Sequence, residues 1–195
     1  MITVNFFNFV GQALLVLFAS RELGLSAGQI GLAFGVGAAG GLVGAVTAPK
    51  LSGRVGLGPL STFGAVVFPG AIAIAAFADG PVWLRIAVLG LAELVGGFGV
   101  MCLDVPLNSL MAAATPDSIR SRVAGAFSTL NYGCRPLGAV LGGALGGWIG
   151  VRESLLVSAI GGALSVLWLI GSPVLRVRDL SDIEPAPLPV ASGPC

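Results

Sequence analysis

The chain has 195 residues, with 10 Lys and Arg and 9 Asp and Glu, 55% hydrophobic residues, 31 Gly and a mean hydropathy of +0.98. A chain this apolar cannot cover its surface with polar groups, which excludes a soluble globular protein, and a net charge of +1 leaves no basic footprint for nucleic acid. There is no His, so His-ligated metals, Ser-His or Cys-His dyads and imidazole relays are excluded, and three Cys make no disulfide framework.

A helix needs about 20 apolar residues to cross a bilayer. Charge-free windows of that size run over Met1–Ser20, Leu23–Pro49 and Val55–Ala78. The next, Ile86–Pro116, is interrupted only by Glu93 and Asp104; Val123–Val151 is broken only by Arg135; Ser154–Leu175 is the sixth. The pattern predicts an all-α membrane protein with six transmembrane helices, at 2–20, 27–48, 60–78, 83–113, 117–146 and 154–172. The first window lacks a basic flank and carries Asn5, Asn8 and Gln12, so it reads as a retained span and not a signal peptide. Ser26-Ala-Gly-Gln29 is a capping box for the second helix, Asp79-Gly80-Pro81 a turn before the fourth, and Thr115-Pro116-Asp117 an N-cap with Pro in the first helical position of the fifth. Residues 1–174 thus form one transmembrane domain, and the Pro-rich stretch 175–195 is expected as a disordered cytoplasmic tail.

With both termini inside, the inner segments carry Lys50, Arg54, Arg120, Arg122, Arg176 and Arg178, and the outer ones Arg21, Arg85 and Arg152. That asymmetry favours both ends in the cytoplasm. Two Gly-rich helices stand in the middle of the two triplets: Gly31 to Gly44 in the second helix and Gly138 to Gly147 in the fifth. Both hold small-xxx-small patterns, and three spans repeated as three spans are inverted repeats.

Ionisable residues inside a membrane helix are costly and call for a reason. Glu93 and Asp104 lie eleven apart, three turns along one face, with Asn108 one turn beyond; Asn131 and Arg135 share a face of the fifth helix. At about 1.5 Å per residue, Asp104 and Arg135 lie at nearly the same depth, and so do Asn108 and Asn131. The match predicts an Asp104–Arg135 pair, either as a packing device or as a proton- or substrate-linked site. Glu93, with no evident basic partner, has the profile of a proton-coupling carboxylate or of a helix-packing acid. Asn5, Asn8 and Gln12 form one polar stripe on the first helix, lining a cavity or bonding a neighbouring helix. Cys102 and Cys134 read as small hydrophobes, and Trp83 and Trp148 as interface anchors.

Asn5-Phe-Phe-Asn8, Arg21-Glu-Leu-Gly-Leu-Ser26, Thr115-Pro-Asp-Ser-Ile-Arg-Ser-Arg122 and Arg135-Pro-Leu-Gly-Ala-Val-Leu-Gly-Gly143 together resemble the C-terminal six-helix half of a major facilitator superfamily permease, of the bacterial drug- and siderophore-exporter type. The resemblance implies a proton-coupled efflux transporter of the plasma (inner) membrane, working on a small molecule by alternating access, with no cofactor or metal. It also implies that the second and fifth helices pack onto an N-terminal six-helix half or a second copy, so that the chain alone does not transport. Lys50-Leu-Ser-Gly-Arg54-Val-Gly56 echoes a signature loop of that family without its acidic residue.

The competing readings are a six-helix membrane subunit with a separate energising partner, and an inert or regulatory half-transporter fragment. An intramembrane protease is disfavoured by the absence of His, and no P-loop motif is present. The substrate and partners expected are a small molecule and protons, within a lipid bilayer. Reporter fusions after Lys50, Ser118 and Ser181 are expected to give cytoplasmic signals; a periplasmic signal at Ser118 would overturn the topology.

Overall fold

The computed structural model describes residues 2–167, which form six helices and, among these residues, no strand. They are α1 (Ile2–Arg21), α2 (Ala27–Val55), α3 (Leu57–Ala76), α4 (Val82–Ala114), α5 (Asp117–Ile149) and α6 (Val151–Leu164). Thr3–Arg21, Ala27–Val55, Leu57–Ala76 and Val82–Ala114 are long and apolar enough to cross a membrane. α5 is long enough at 33 residues, but Asp117, Arg120, Arg122 and Arg135 make it less apolar. The expected end of the sixth helix and the tail at 175–195 lie outside the described residues.

The capping box at α2 is formed. The Ser26 N–H donates to Gln29 Oε1 at 2.8 Å, and the Gln29 N–H to Ser26 Oγ at 3.4 Å. α2 then runs through Pro49 to Val55 instead of ending at residue 48. A proline removes one backbone donor but need not end a membrane helix. The stop comes at Gly56, whose φ of 98° lies where a side chain is disfavoured. Gly56 alone joins α2 to α3, and Gly150 alone joins α5 to α6, with the same φ of 98° and ψ of 156°.

The Thr115 reading needs correction. Thr115 ends α4, its hydroxyl donating back to the Met111 carbonyl at 2.6 Å, and Pro116 takes the cap position of α5. Arg120 closes this corner by pairing with Asp117 at 2.7 Å and donating to the Ala112 carbonyl at 3.2 Å. At the other end of the bundle, Arg85 donates to the Leu23 carbonyl at 2.8 Å.

In the packing, α4 lies between α2 and α3, α1 lies between α5 and α6, and α3 and α6 join the two groups. Each Gly-rich middle helix therefore rests on the first helix of the other triplet. α2 buries Ile30, Ala33, Gly37, Gly40, Gly44 and Ala48, a stripe of mostly small residues every three or four positions. Side chains there would collide with α4: a Cβ on Gly37 would meet Glu93 Cβ at 2.8 Å, and one on Gly44 would meet Met101 Cβ at 2.7 Å. α5 buries only Gly138 and Gly142, where a Cβ would meet the α1 carbonyl oxygens of Phe6 at 3.0 Å and Val10 at 2.7 Å. The Gly-rich faces are thus incompletely buried. Gly31, Gly35, Gly133, Gly143 and Gly147 have nothing within 4 Å, but the close-packed glycines are spent inside the bundle. The uncovered sides are apolar, with Leu32, Leu42, Val46, Leu137 and Val140 exposed.

Gly40→Ala would drive a methyl group into the Leu94 backbone, whereas Gly70 has open space around it. Gly40→Ala is expected to lower stability by about 1–3 kcal/mol. Gly70→Ala should be neutral or raise it by up to about 1 kcal/mol through helix propensity. Thermal unfolding of the detergent-solubilised chain checks both.

Candidate functional site

A cavity of about 200 Å³ lies among α1, α2, α3 and α4. Its walls are mainly apolar, including Phe34, Phe68, Ile72 and Ala92, and its polar side chains are Asn8, Gln12 and Glu93. Three residues expected from the sequence on two separate helices therefore converge on one space. α1 supplies the two amides one turn apart. α4 supplies the acid beside Gly96 and Gly97, which also line the cavity. Gly37 of α2 makes room directly behind Glu93, since any side chain there would strike the acid's Cβ.

Asn8 is only 3% exposed and its Nδ2 has no hydrogen-bond partner. A buried unpaired donor is costly, so this amide is a ready contact for an acceptor entering the cavity. Among the described residues, Glu93 has no cation within ion-pair distance. The arrangement is an uncompensated carboxyl with two amides in an otherwise apolar pocket, which can hold a proton or a hydrogen-bonding ligand.

The expected Asp104–Arg135 ion pair is not formed: the salt bridges among the described residues are Arg120–Asp117 and Arg152–Glu22. Matched depth does not make neighbours. α4 and α5 follow one another in sequence, yet α4 packs on α2 and α3 while α5 packs on α1. Asp104 is half-buried, with Oδ1 shielded and without a hydrogen-bond partner. Arg135 is exposed and stacks with its Cζ 4.4 Å from the ring centres of both Phe9 and Tyr132. The sequence reading missed these two rings. Their signal was the spacing of Tyr132, the sole tyrosine, three residues before Arg135 on one helix face.

The Asn108–Asn131 layer is likewise not a pair. Asn131 Oδ1 accepts from Asn5 Nδ2 at 2.7 Å, joining α5 to α1. Asn108 is exposed and lines a shallow pocket with Thr115 and Arg120 where α4 meets α5. The polar stripe of α1 is therefore shared: Asn5 serves helix packing, and Asn8 and Gln12 serve the cavity. Cys102 is buried against Ala48 and Leu60, Cys134 is half-buried, and Trp83 and Trp148 are exposed.

A bundle of long apolar helices around a mainly apolar pocket that holds a few polar side chains fits a multi-pass membrane protein. The chain matches the Major Facilitator Superfamily profile over residues 1–193 and belongs to that family. No curated protein and no solved structure matches it. Membership makes it a transmembrane transporter by family, and family members are in general not enzymes.

These contacts move the expected energetic coupling from one pair to another. Asp104→Asn and Arg135→Gln should add within about 0.3–0.5 kcal/mol in a double-mutant cycle. Asn5→Ala and Asn131→Ala should couple by about 0.6 kcal/mol, the usual size for hydrogen bonds between membrane helices. Unfolding of the four single and two double variants in detergent decides between them.

Proposed function

We propose that the chain is one six-helix half of a proton-coupled efflux transporter, equivalent to the C-terminal half of a drug- or siderophore-exporter-like permease, in the plasma membrane with both termini cytoplasmic. Glu93 is its proton-carrying carboxyl. The observation that carries this reading is the cavity in which Glu93 stands with Asn8 and Gln12 and without a cation. An acid that exchanges a proton during transport must be free of a permanent counterion and must face a space that opens and closes. Asp104, with one shielded and unpartnered oxygen, is the second acid on the same helix face.

Two features support an inverted repeat of α1–α3 and α4–α6. The junctions at Gly56 and Gly150 share one backbone conformation. Exchanging the triplets turns α2 on α4 into α5 on α1, and α3 on α4 into α6 on α1, and all four packings are present. The apolar sides of α2 and α5 that the bundle leaves uncovered favour a second six-helix unit, either an N-terminal half or a second copy. The bundle alone then supplies one wall of the path and does not transport.

Membrane vesicles containing the chain with its second unit, given a pH gradient, should accumulate members of a panel of small organic molecules. Glu93→Gln is expected to abolish gradient-driven accumulation while sparing exchange down a concentration gradient. Undiminished gradient-driven accumulation in that variant would remove the proton role of Glu93. Robust transport by purified chain shown to be monomeric would remove the need for a second unit.

A further inference from the structure

We infer that Arg135, clamped between Phe9 and Tyr132, is the recognition site for the anionic group of a small organic molecule. The inference names the substrate class for the transporter read above and rests on that reading.

A guanidinium has two faces and one edge. The Phe9 and Tyr132 ring centres each lie 4.4 Å from Cζ, within cation–π range, and such contacts take up no hydrogen-bond acceptor. Neither Arg135's salt bridges nor its hydrogen bonds occupy that edge among the described residues, because it makes none with a carboxylate or a carbonyl. Contact with two rings restrains the side chain, and its unpaired N–H donors suit a carboxylate, sulfonate or phosphate group. Asn131, one turn before Arg135, is tied to Asn5, so the base of this helix face is held to α1.

Arg135 is exposed at the margin of the α1–α5 contact, so its guanidinium is reachable. Tyr132, 56% exposed, offers an apolar ring beside it, which fits an organic better than an inorganic anion. A lipid phosphate is the other source of the same chemistry. Arg135 lies thirteen residues into the helix from Arg122, about 20 Å along the axis, too deep for a headgroup in the plane of the interface.

The test is calorimetric titration of the full chain in phosphatidylcholine nanodiscs with 1-naphthoate, its neutral isostere 1-naphthamide, and inorganic phosphate. Naphthoate should bind about tenfold or more tightly than naphthamide and than phosphate, the size expected of a charge-assisted hydrogen bond. Arg135→Gln should remove that preference, Arg135→Lys should keep part of it, and Tyr132→Leu should weaken naphthoate while leaving the protein folded by circular dichroism. Equal binding of naphthoate and naphthamide, or an Arg135→Gln variant that still prefers naphthoate, overturns the proposal. Loss of naphthoate binding when phosphatidylglycerol replaces part of the phosphatidylcholine assigns the site to lipid and overturns it as a solute site. Binding is read without a gradient, and Gly70→Ala, with open space around it, should leave it unchanged. A chain that binds naphthoate but moves no proton-driven solute overturns only the transport reading.

Discussion

In hydrocarbon, an apolar side chain gains little by exchanging lipid for a neighbouring helix, so helices are held by how closely their backbones approach. Here that approach depends on glycine. α4 is reached from one side by Gly37, Gly40 and Gly44 of α2, and from the other by Gly64 of α3, where a Cβ would strike the Leu103 amide and would lie 2.7 Å from the Gly99 carbonyl. On α4 itself, a Cβ on Gly97 would strike the Gly37 carbonyl and one on Gly99 would meet the Phe68 amide at 2.8 Å. The contact is mutual, with glycine on both surfaces, and it leaves no room for methyl groups at these positions.

Close approach also decides where the polar groups go. Because α2 comes so near to α4, the Glu93 Cβ lies against Gly37, and the side chain lines the space shared by α1, α2, α3 and α4. The same constraint on α5, with Gly138 and Gly142 against the α1 backbone, brings Asn131 within hydrogen-bonding distance of Asn5 and Arg135 over Phe9. The cavity and the aromatic clamp are thus set by two separate glycine contacts, one between α2 and α4 and one between α5 and α1.

Helix number, the capping box at Ser26 and the polar residues Asn8, Gln12 and Glu93 inside their spans were legible in the sequence; that the three meet in one cavity was not. Hydropathy counts spans, and a polar residue inside a span is conspicuous whatever surrounds it. Neighbourhood was not legible. A residue count puts Asp104 and Arg135 at similar distances along their helices from the α4–α5 connection, but the fold assigns α4 and α5 to different partners, and nothing in the two-residue connection Thr115-Pro116 records that. Thr115 was ambiguous for a similar reason: a hydroxyl at a helix junction can bond forward to the next helix or back to the last carbonyls, and the register of Pro116 decided it.

α2 and α5 are each two-sided, and this joins the packing to the chemistry. One side of α2 carries the glycines that back onto Glu93; the other is apolar and uncovered, with Leu32 and Leu42. On α5, Gly138 and Gly142 lie against α1, while Leu137 and Val140 are uncovered and Arg135 is accessible. A body that leans on the uncovered sides therefore pushes on the helices that form the back of the acid cavity and the floor of the guanidinium clamp. Packed interfaces of this kind slide between discrete arrangements and do not deform continuously. With no side chain on Gly37, the α2 backbone lies close against the Glu93 Cβ and main-chain carbonyl, so a displacement of α2 would act on the segment of α4 that carries the carboxyl.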